Sequence, residues 1–143
     1  MSSPRRLIVT DANLERLHRL IEQHAWGKQQ EIVELLEVEL SRADVVTPEE
    51  VPPDVVTMNS RVVFLEEETN TRREVQLVYP QDANGDPGRV SILAPVGVAL
   101  IGLSVGDSIE FPMPGGRTKR IKVLEVTWQP EAEQNAPPPP QAA

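Results

Sequence analysis

Three prolines, Pro48, Pro52 and Pro53, stand inside the stretch VVTPEEVPPDVV and separate two halves of the chain with different hydrophobic periods. Proline fixes φ, lacks an N–H and drives its preceding residue out of the helical region, so no helix can run through this stretch. An extended connection is predicted over residues 48–59. Helical spacing dominates before it and β-branched residues dominate after it. The chain therefore reads as α+β: a helical hairpin at 1–47, a Pro-rich linker at 48–59, a small antiparallel β-sheet domain with one short helix at 60–128, and a Pro-rich tail at 129–143.

In the first half, Leu14, Leu17, Leu20, Ile21 and Ala25 recur at helical spacing behind a candidate N-cap at Thr10 or Asp11, which predicts a helix over 11–23. Gly27 is predicted to end it through a positive φ. A second helix over 28–42 carries Ile32, Leu36, Leu40 and Ala43 near one face, with Glu31, Glu34, Glu37 and Glu39 mostly outside it. The two run antiparallel, with His24, Ala25, Trp26 and Gly27 as the hairpin tip. Trp26 is read as a cap folded back over the helix ends, the alternative being an exposed contact residue.

In the second half, 61–67 and 72–79 read as strands joined by a turn at Asn70, with Val75, Leu77 and Tyr79 on one side of the second strand. DANGDPG (82–88) has oxygen side chains at Asp82, Asn84 and Asp86 but places Pro87 and Leu93 where a calcium loop needs glycine and glutamate, so it reads as a turn with φ > 0 at Asn84 and Gly85. Further strands are predicted over 89–93, 108–111 and 119–128, with a short helix over 98–103. A Val-Gly-Asp turn falls at 105–107, and a loop opens at Pro112, Pro114, Gly115 and Gly116. Ile121 and Val123, with Leu124 and Val126, are read as facing inward. Four consecutive prolines and little apolar bulk predict a disordered tail from Gln129 onward, with a groove-binding Pro-rich ligand as the alternative.

Composition narrows the chemistry. A formal net charge of −8 disfavours nucleic-acid binding, which needs clustered Lys and Arg. With two Phe, two Trp and one Tyr, the core must be small and aliphatic. No cysteine offers a thiolate ligand or a disulfide. The N-terminus has no continuous apolar region behind its arginines, and no run approaches the roughly 18 apolar residues a membrane span needs. A soluble, cytoplasmic protein is predicted.

No enzyme constellation is present. His18 and His24 are not on one helix face, and Ser91, Ser104 and Ser108 lack a nucleophile setting. The segment Gly115 to Arg120 lacks the spacing of a phosphate loop, and reads as a hairpin loop whose Arg117, Lys119 and Arg120 are candidates to meet an acidic partner. Glu49, Glu50 and Glu66 to Glu68 read as charged surface. No catalytic residue, cofactor or metal is predicted, and the turn-rich stretch from Arg89 to Gly116 suits binding better than catalysis.

APVGVALIGLSVGD (94–107) resembles the S-P-x-G-x-A-L-[IL]-G-x-x-x-G-D signature of the bacterial Gre transcript-cleavage factors. DVVTMNSRV (54–62) and LVYP (77–80) bring the resemblance nearest to the Rnk branch, the regulators of nucleoside diphosphate kinase. The resemblance spans roughly 7–130. It implies an N-terminal coiled coil and an FKBP-like sheet domain that binds RNA polymerase at the rim of the secondary channel. Ala94, Pro95, Val96 and Gly97 would form the partner-binding loop, with Ala94 replacing the Gre serine. Pro95→Asp or Gly97→Asp should then weaken binding in a domain that stays folded. Gre factors carry acidic side chains at the end of a longer coiled coil to hold magnesium for RNA hydrolysis. The tip here has none, which implies a non-cleaving competitor of Gre factors that affects the kinase indirectly; a monomer is expected. The alternatives are a binding module for another protein, the kinase included, and a prolyl isomerase.

Overall fold

The computed structural model describes residues 7–113 and 115–135. Chain order is β1 (Ile8–Thr10), α1 (Asp11–His24), α2 (Gln30–Ser41), β2 (Asp44–Val46), β3 (Arg61–Glu66), β4 (Thr71–Val78), α3 (Pro80–Ala83), β5 (Arg89–Ser91), α4 (Pro95–Leu100), β6 (Ser108–Pro112), β7 (Thr118–Trp128) and α5 (Pro130–Asn135).

Thr10 caps α1: its extended backbone turns the hydroxyl to accept from Asn13 N at 3.1 Å. Leu17, Leu20 and Ile21 of α1 and Val33, Leu36 and Leu40 of α2 are buried, and α1 packs against α2. At 1.5 Å per residue the arms are only about 18 to 21 Å long. The chain entering and leaving the hairpin is held together by a parallel pair, Ile8 to Thr10 against Asp44 to Val46. Ile8 N also donates to Gly102 O at 3.1 Å, which ties the hairpin base to the body.

The body is a five-stranded sheet in the order β5-β4-β3-β7-β6. It is mixed, whereas an all-antiparallel sheet was predicted: β5 runs parallel to β4. Asn84 and Gly85 do take positive φ, but they follow α3, a turn of helix that lifts the chain off the sheet and brings it back in the same direction. Two short helices, α3 and α4, stand in the sheet domain where one was predicted, and α4 begins at Pro95 instead of Val98 because proline suits the first helical position. The β3–β7 register skips Leu124, so this residue is bulged and half-buried, while Ile121 and Val123 are fully buried.

The segment predicted as an extended linker is turned and buried. Val55 and Val56 are fully buried, Val56 N donates to Leu103 O at 2.8 Å, and Gly102 N donates to Val56 O at 2.9 Å. Prolines exclude helix but not burial, and these valines, with Val51 and Met58, supply apolar area that a core of few aromatics needs.

The predicted disorder from Gln129 fails over 129–135. Gln129 Nε2 donates to Pro52 O and Val55 O, both at 2.8 Å, and the buried Glu131 carboxylate accepts from Thr57 Oγ1 at 2.7 Å. Thr57 Oγ1 also shares a hydrogen bond with Ser60 Oγ at 2.8 Å. Asn135 Nδ2 reaches Pro48 O. Polar anchoring therefore orders a segment with little apolar bulk. The prolines at 114 and 137–140 lie outside the described residues.

Candidate docking surface

The predicted partner-binding loop is a strand-to-helix turn. Ser91 Oγ accepts from Leu93 N at 3.0 Å, Ala94 N donates to Ser91 O at 2.9 Å, and Ala94 is the N-cap of α4 with no side-chain bond to give. Ala94, Pro95 and Val96 are half-buried and reach the surface. Gly97 does not: it is buried, and an added Cβ would lie 2.1 Å from Ser91 O and 2.9 Å from Ile92 Cα. Its glycine serves the packing of α4 onto the strand, so Gly97→Asp would break the fold instead of leaving it intact as predicted.

Other signature residues are also architectural. Gly102 has φ +82 with Leu7 Cβ 3.2 Å from where its own Cβ would be. Gly106 has φ +94, and Asp107 Oδ2 accepts from Ser104 N at 3.0 Å to close the turn into β6. Much of the motif therefore builds turns, and Ala94, Pro95 and Val96 are the part of the predicted contact loop that reaches solvent.

Trp26 is 91% exposed and caps nothing, contrary to the predicted fold-back. The tip closes through backbone bonds instead, Gly27 N to His24 O and Gln30 N to Gly27 O. Gly27 does not take a positive φ either, because α1 ends at Ala25 in a right-handed conformation. His24 and Ala25 are half-buried. No carboxylate lies within the tip; Glu22 and Glu31 flank it. Among the described residues no cluster of His, Asp or Glu could hold a metal ion.

The structure brings Pro95 beside the hairpin, a relationship the sequence reading missed. An apolar cleft of about 100 Å³ is lined by Ile32, Leu35, Pro95, Val98, Ile109 and Phe111. It continues past Pro112 and Met113 toward Lys28 and Gln29, next to the tip. Ile32 and Leu35 stand three residues apart and outside the buried Val33, Leu36, Leu40 stripe, whereas the sequence placed Ile32 with Leu36 and Leu40 on the packing face.

The basic loop is neutralised within the chain. Lys119 pairs with Glu66 at 3.8 Å, and Arg120 pairs with Glu67 at 2.9 Å and Glu110 at 3.7 Å. Among the described residues this leaves Arg117 as its exposed cation without an ion pair, which weakens the argument for an acidic partner there.

Residues 51–128 match the family described as transcription elongation factor GreA/GreB, C-terminal. A solved GreA/GreB transcription elongation factor from Nitrosomonas europaea is 45% identical, superposes with a TM-score of 0.67, and covers 86% of this chain and 98% of its own. The chain belongs to the GreA/GreB family. Its Rnk character follows from two further matches: residues 5–46 match the Rnk N-terminus, and the regulator of nucleoside diphosphate kinase of Escherichia coli K12 is 46% identical over 132 residues, 92% of this chain and 96% of that protein. The GreA of Rhizobium leguminosarum bv. viciae is 35% identical over 107 residues, 75% of this chain and 65% of that factor. No helix among the described residues is long and apolar enough to cross a membrane.

Proposed function

We propose that this protein is a cytoplasmic, monomeric RNA polymerase-binding regulator that docks at the rim of the secondary channel, competes there with Gre-type factors and does not stimulate transcript cleavage. Pro95 and Val96, set on the turn that Ala94 and Gly97 shape, are its contact residues. The observation that carries the reading is the combination of a GreA/GreB body with a hairpin tip of His24, Ala25, Trp26 and Gly27. Mg²⁺ held for hydrolysis requires hard oxygen ligands in tight geometry, and this tip supplies none. Arms of about 20 Å leave a docked tip short of a deep catalytic centre. Its effect on nucleoside diphosphate kinase is indirect, through expression.

The sheet body is FKBP-like in this reading, five strands with a short helix against them. Fold does not carry isomerase activity with it. The cleft beside α4 has one aromatic wall residue, Phe111, where an isomerase pocket is ring-lined.

The test is a transcript-cleavage assay on stalled elongation complexes with purified core polymerase. The protein alone should give no cleavage, and rising amounts should inhibit an added Gre factor. Robust cleavage by the protein alone would overturn the reading. Pro95→Asp, at a half-buried surface position, should relieve the inhibition.

A further inference from the structure

We propose that residues 129–135 act as a strap that fixes the angle of the helical hairpin on the sheet, and that Glu131 is its positioning residue. The consequence for polymerase rests on the docking reading above; the strap itself does not.

The hairpin reaches β3 through the connection 47–60, and the strap grips that connection along its length. Asn135 Nδ2 donates to Pro48 O, Gln129 Nε2 to Pro52 O and Val55 O, and Glu131 accepts from Thr57 Oγ1, each at 2.7 or 2.8 Å. These anchors follow directly on β7, the longest strand of the sheet. The residue after Thr57 is held from the other direction: Met58 N donates to Asn13 Oδ1 of α1 at 3.2 Å. One peptide unit therefore carries a displacement of Thr57 to the hairpin.

The hydrogen bonds at Thr57 have one consistent order. Its single hydroxyl proton goes to Glu131, so Ser60 Oγ, 2.8 Å away, donates to Thr57 Oγ1 while accepting from Thr57 N at 2.9 Å. All three side chains are buried, and the chain of donors ends on the carboxylate. A buried network of this kind holds one geometry, because a shift of the segment strips a partner from each member. The Glu131 charge is also felt at the Tyr79 hydroxyl, and the Tyr79 ring carries the Arg16 guanidinium of α1 at 4.0 Å. Val56 and Met58 of the same connection belong to the core that Leu17 and Leu36 of the hairpin share. Apolar contact is non-directional, so the direction comes from the hydrogen bonds. With the strap loosened, the bond from Ile8 N to Gly102 O and the contact of α2 with α4 remain as the pivot.

The chain has no cysteine, so paired spin labels go where they are placed. Nitroxides at Trp26→Cys on the tip and Glu125→Cys on β7, both exposed positions, report the hairpin-to-sheet distance in the full-length protein. The labelled parent should give one narrow distance distribution and Glu131→Ala a broadened or displaced one. Glu131→Gln, which keeps an acceptor for Thr57, should restore the narrow one. Amide exchange within α1, α2, β3 and β7 should stay slow in all three, which a loss of general stability would not allow. A narrow, undisplaced distribution in Glu131→Ala overturns the inference and leaves the strap as a stabilising element alone. Should Glu131→Ala fail to fold, Gln129→Ala and Asn135→Ala, which remove other anchors of the strap, replace it under the same criterion.

Purified core polymerase tells the strap from the docking reading. Glu131→Ala should bind it as the parent does yet inhibit an added Gre-type factor less, and Glu131→Gln should inhibit fully. A changed distance with inhibition intact overturns the strap's bearing on competition. An unaltered chain that does not bind polymerase overturns the docking reading, while the distance measurement still decides the strap.

Discussion

The Cβ that Gly97 lacks would stand 2.1 Å from the carbonyl oxygen of Ser91. That oxygen is itself fixed, because it accepts from Ala94 N in the turn that starts α4. Neither strand nor helix can give way cheaply. Gly97→Ala should therefore lower stability by more than about 2 kcal/mol in denaturant unfolding. A melt unchanged from the parent would show that α4 can lift from the strand.

Ala94 sits in N-cap geometry, φ −83 and ψ 150, without a side chain able to accept from the first turn. Ala94→Ser should stabilise the protein by about 1 kcal/mol, the ordinary value of an N-cap hydroxyl. The readout is the denaturation midpoint at unchanged slope. If polymerase binding also strengthens, the serine acts on the partner as well as on the helix.

Tyr79 is buried with its hydroxyl unpartnered among the described residues, and its ring lies under the Arg16 guanidinium at 4.0 Å. Burial pushes the phenol above its ordinary value of 10.0, Arg16 pulls it back, and Glu131 adds to the rise. The folded state therefore holds the proton more tightly than the unfolded state. The resulting stability is fully present below pH 10 and is lost as pH rises from there through the folded value. Unfolding measured from neutral to alkaline pH should show this decline, and Tyr79→Phe should flatten it while leaving neutral-pH stability unchanged or slightly higher.

Trp26 is 91% exposed and touches neither helix end. Trp26→Ala should leave stability within about 0.5 kcal/mol of the parent. Iodide should quench most of the Trp26 fluorescence, measured as the difference between the parent and that variant. A loss of several °C in the melt would restore the capping role.

Glu131 is 8% exposed and receives the Thr57 hydroxyl, and Gln129 spans two carbonyls of the connection. Truncation after Trp128 should cost about 2 kcal/mol or more, because it strips partners from buried polar groups. Proteolysis within 48–56 should rise in parallel. Equal protection in the truncated chain would mean that the connection holds itself.

Both hairpin helices and all five sheet strands were legible, most of them through a local period: Leu17, Leu20 and Ile21 for α1, Val75 and Leu77 for β4, Ile121 and Val123 for β7. The loop at Ala94 to Gly97 was legible through its resemblance to a known signature. What each of its residues does was not, since a motif does not say whether a glycine faces a partner or a neighbouring carbonyl. The parallel β4–β5 pair was missed because three residues carry no directional signal, and the 129–135 segment was missed because its order comes from hydrogen bonds to residues more than seventy positions away.

By itself the sequence determined the division into a helical and a β half, a helix cap at Thr10 or Asp11, the turns at Asn70, Asn84 and Gly106, and the absence of acid at the tip. These are local properties, set by backbone sterics, side-chain period and composition. Tertiary structure decided that the proline-rich connection is core, that Gly97 is packing, and that Leu35 and Pro95 face one cleft. Each of these depends on which distant surfaces meet, and burial is settled only when the whole chain has closed on itself.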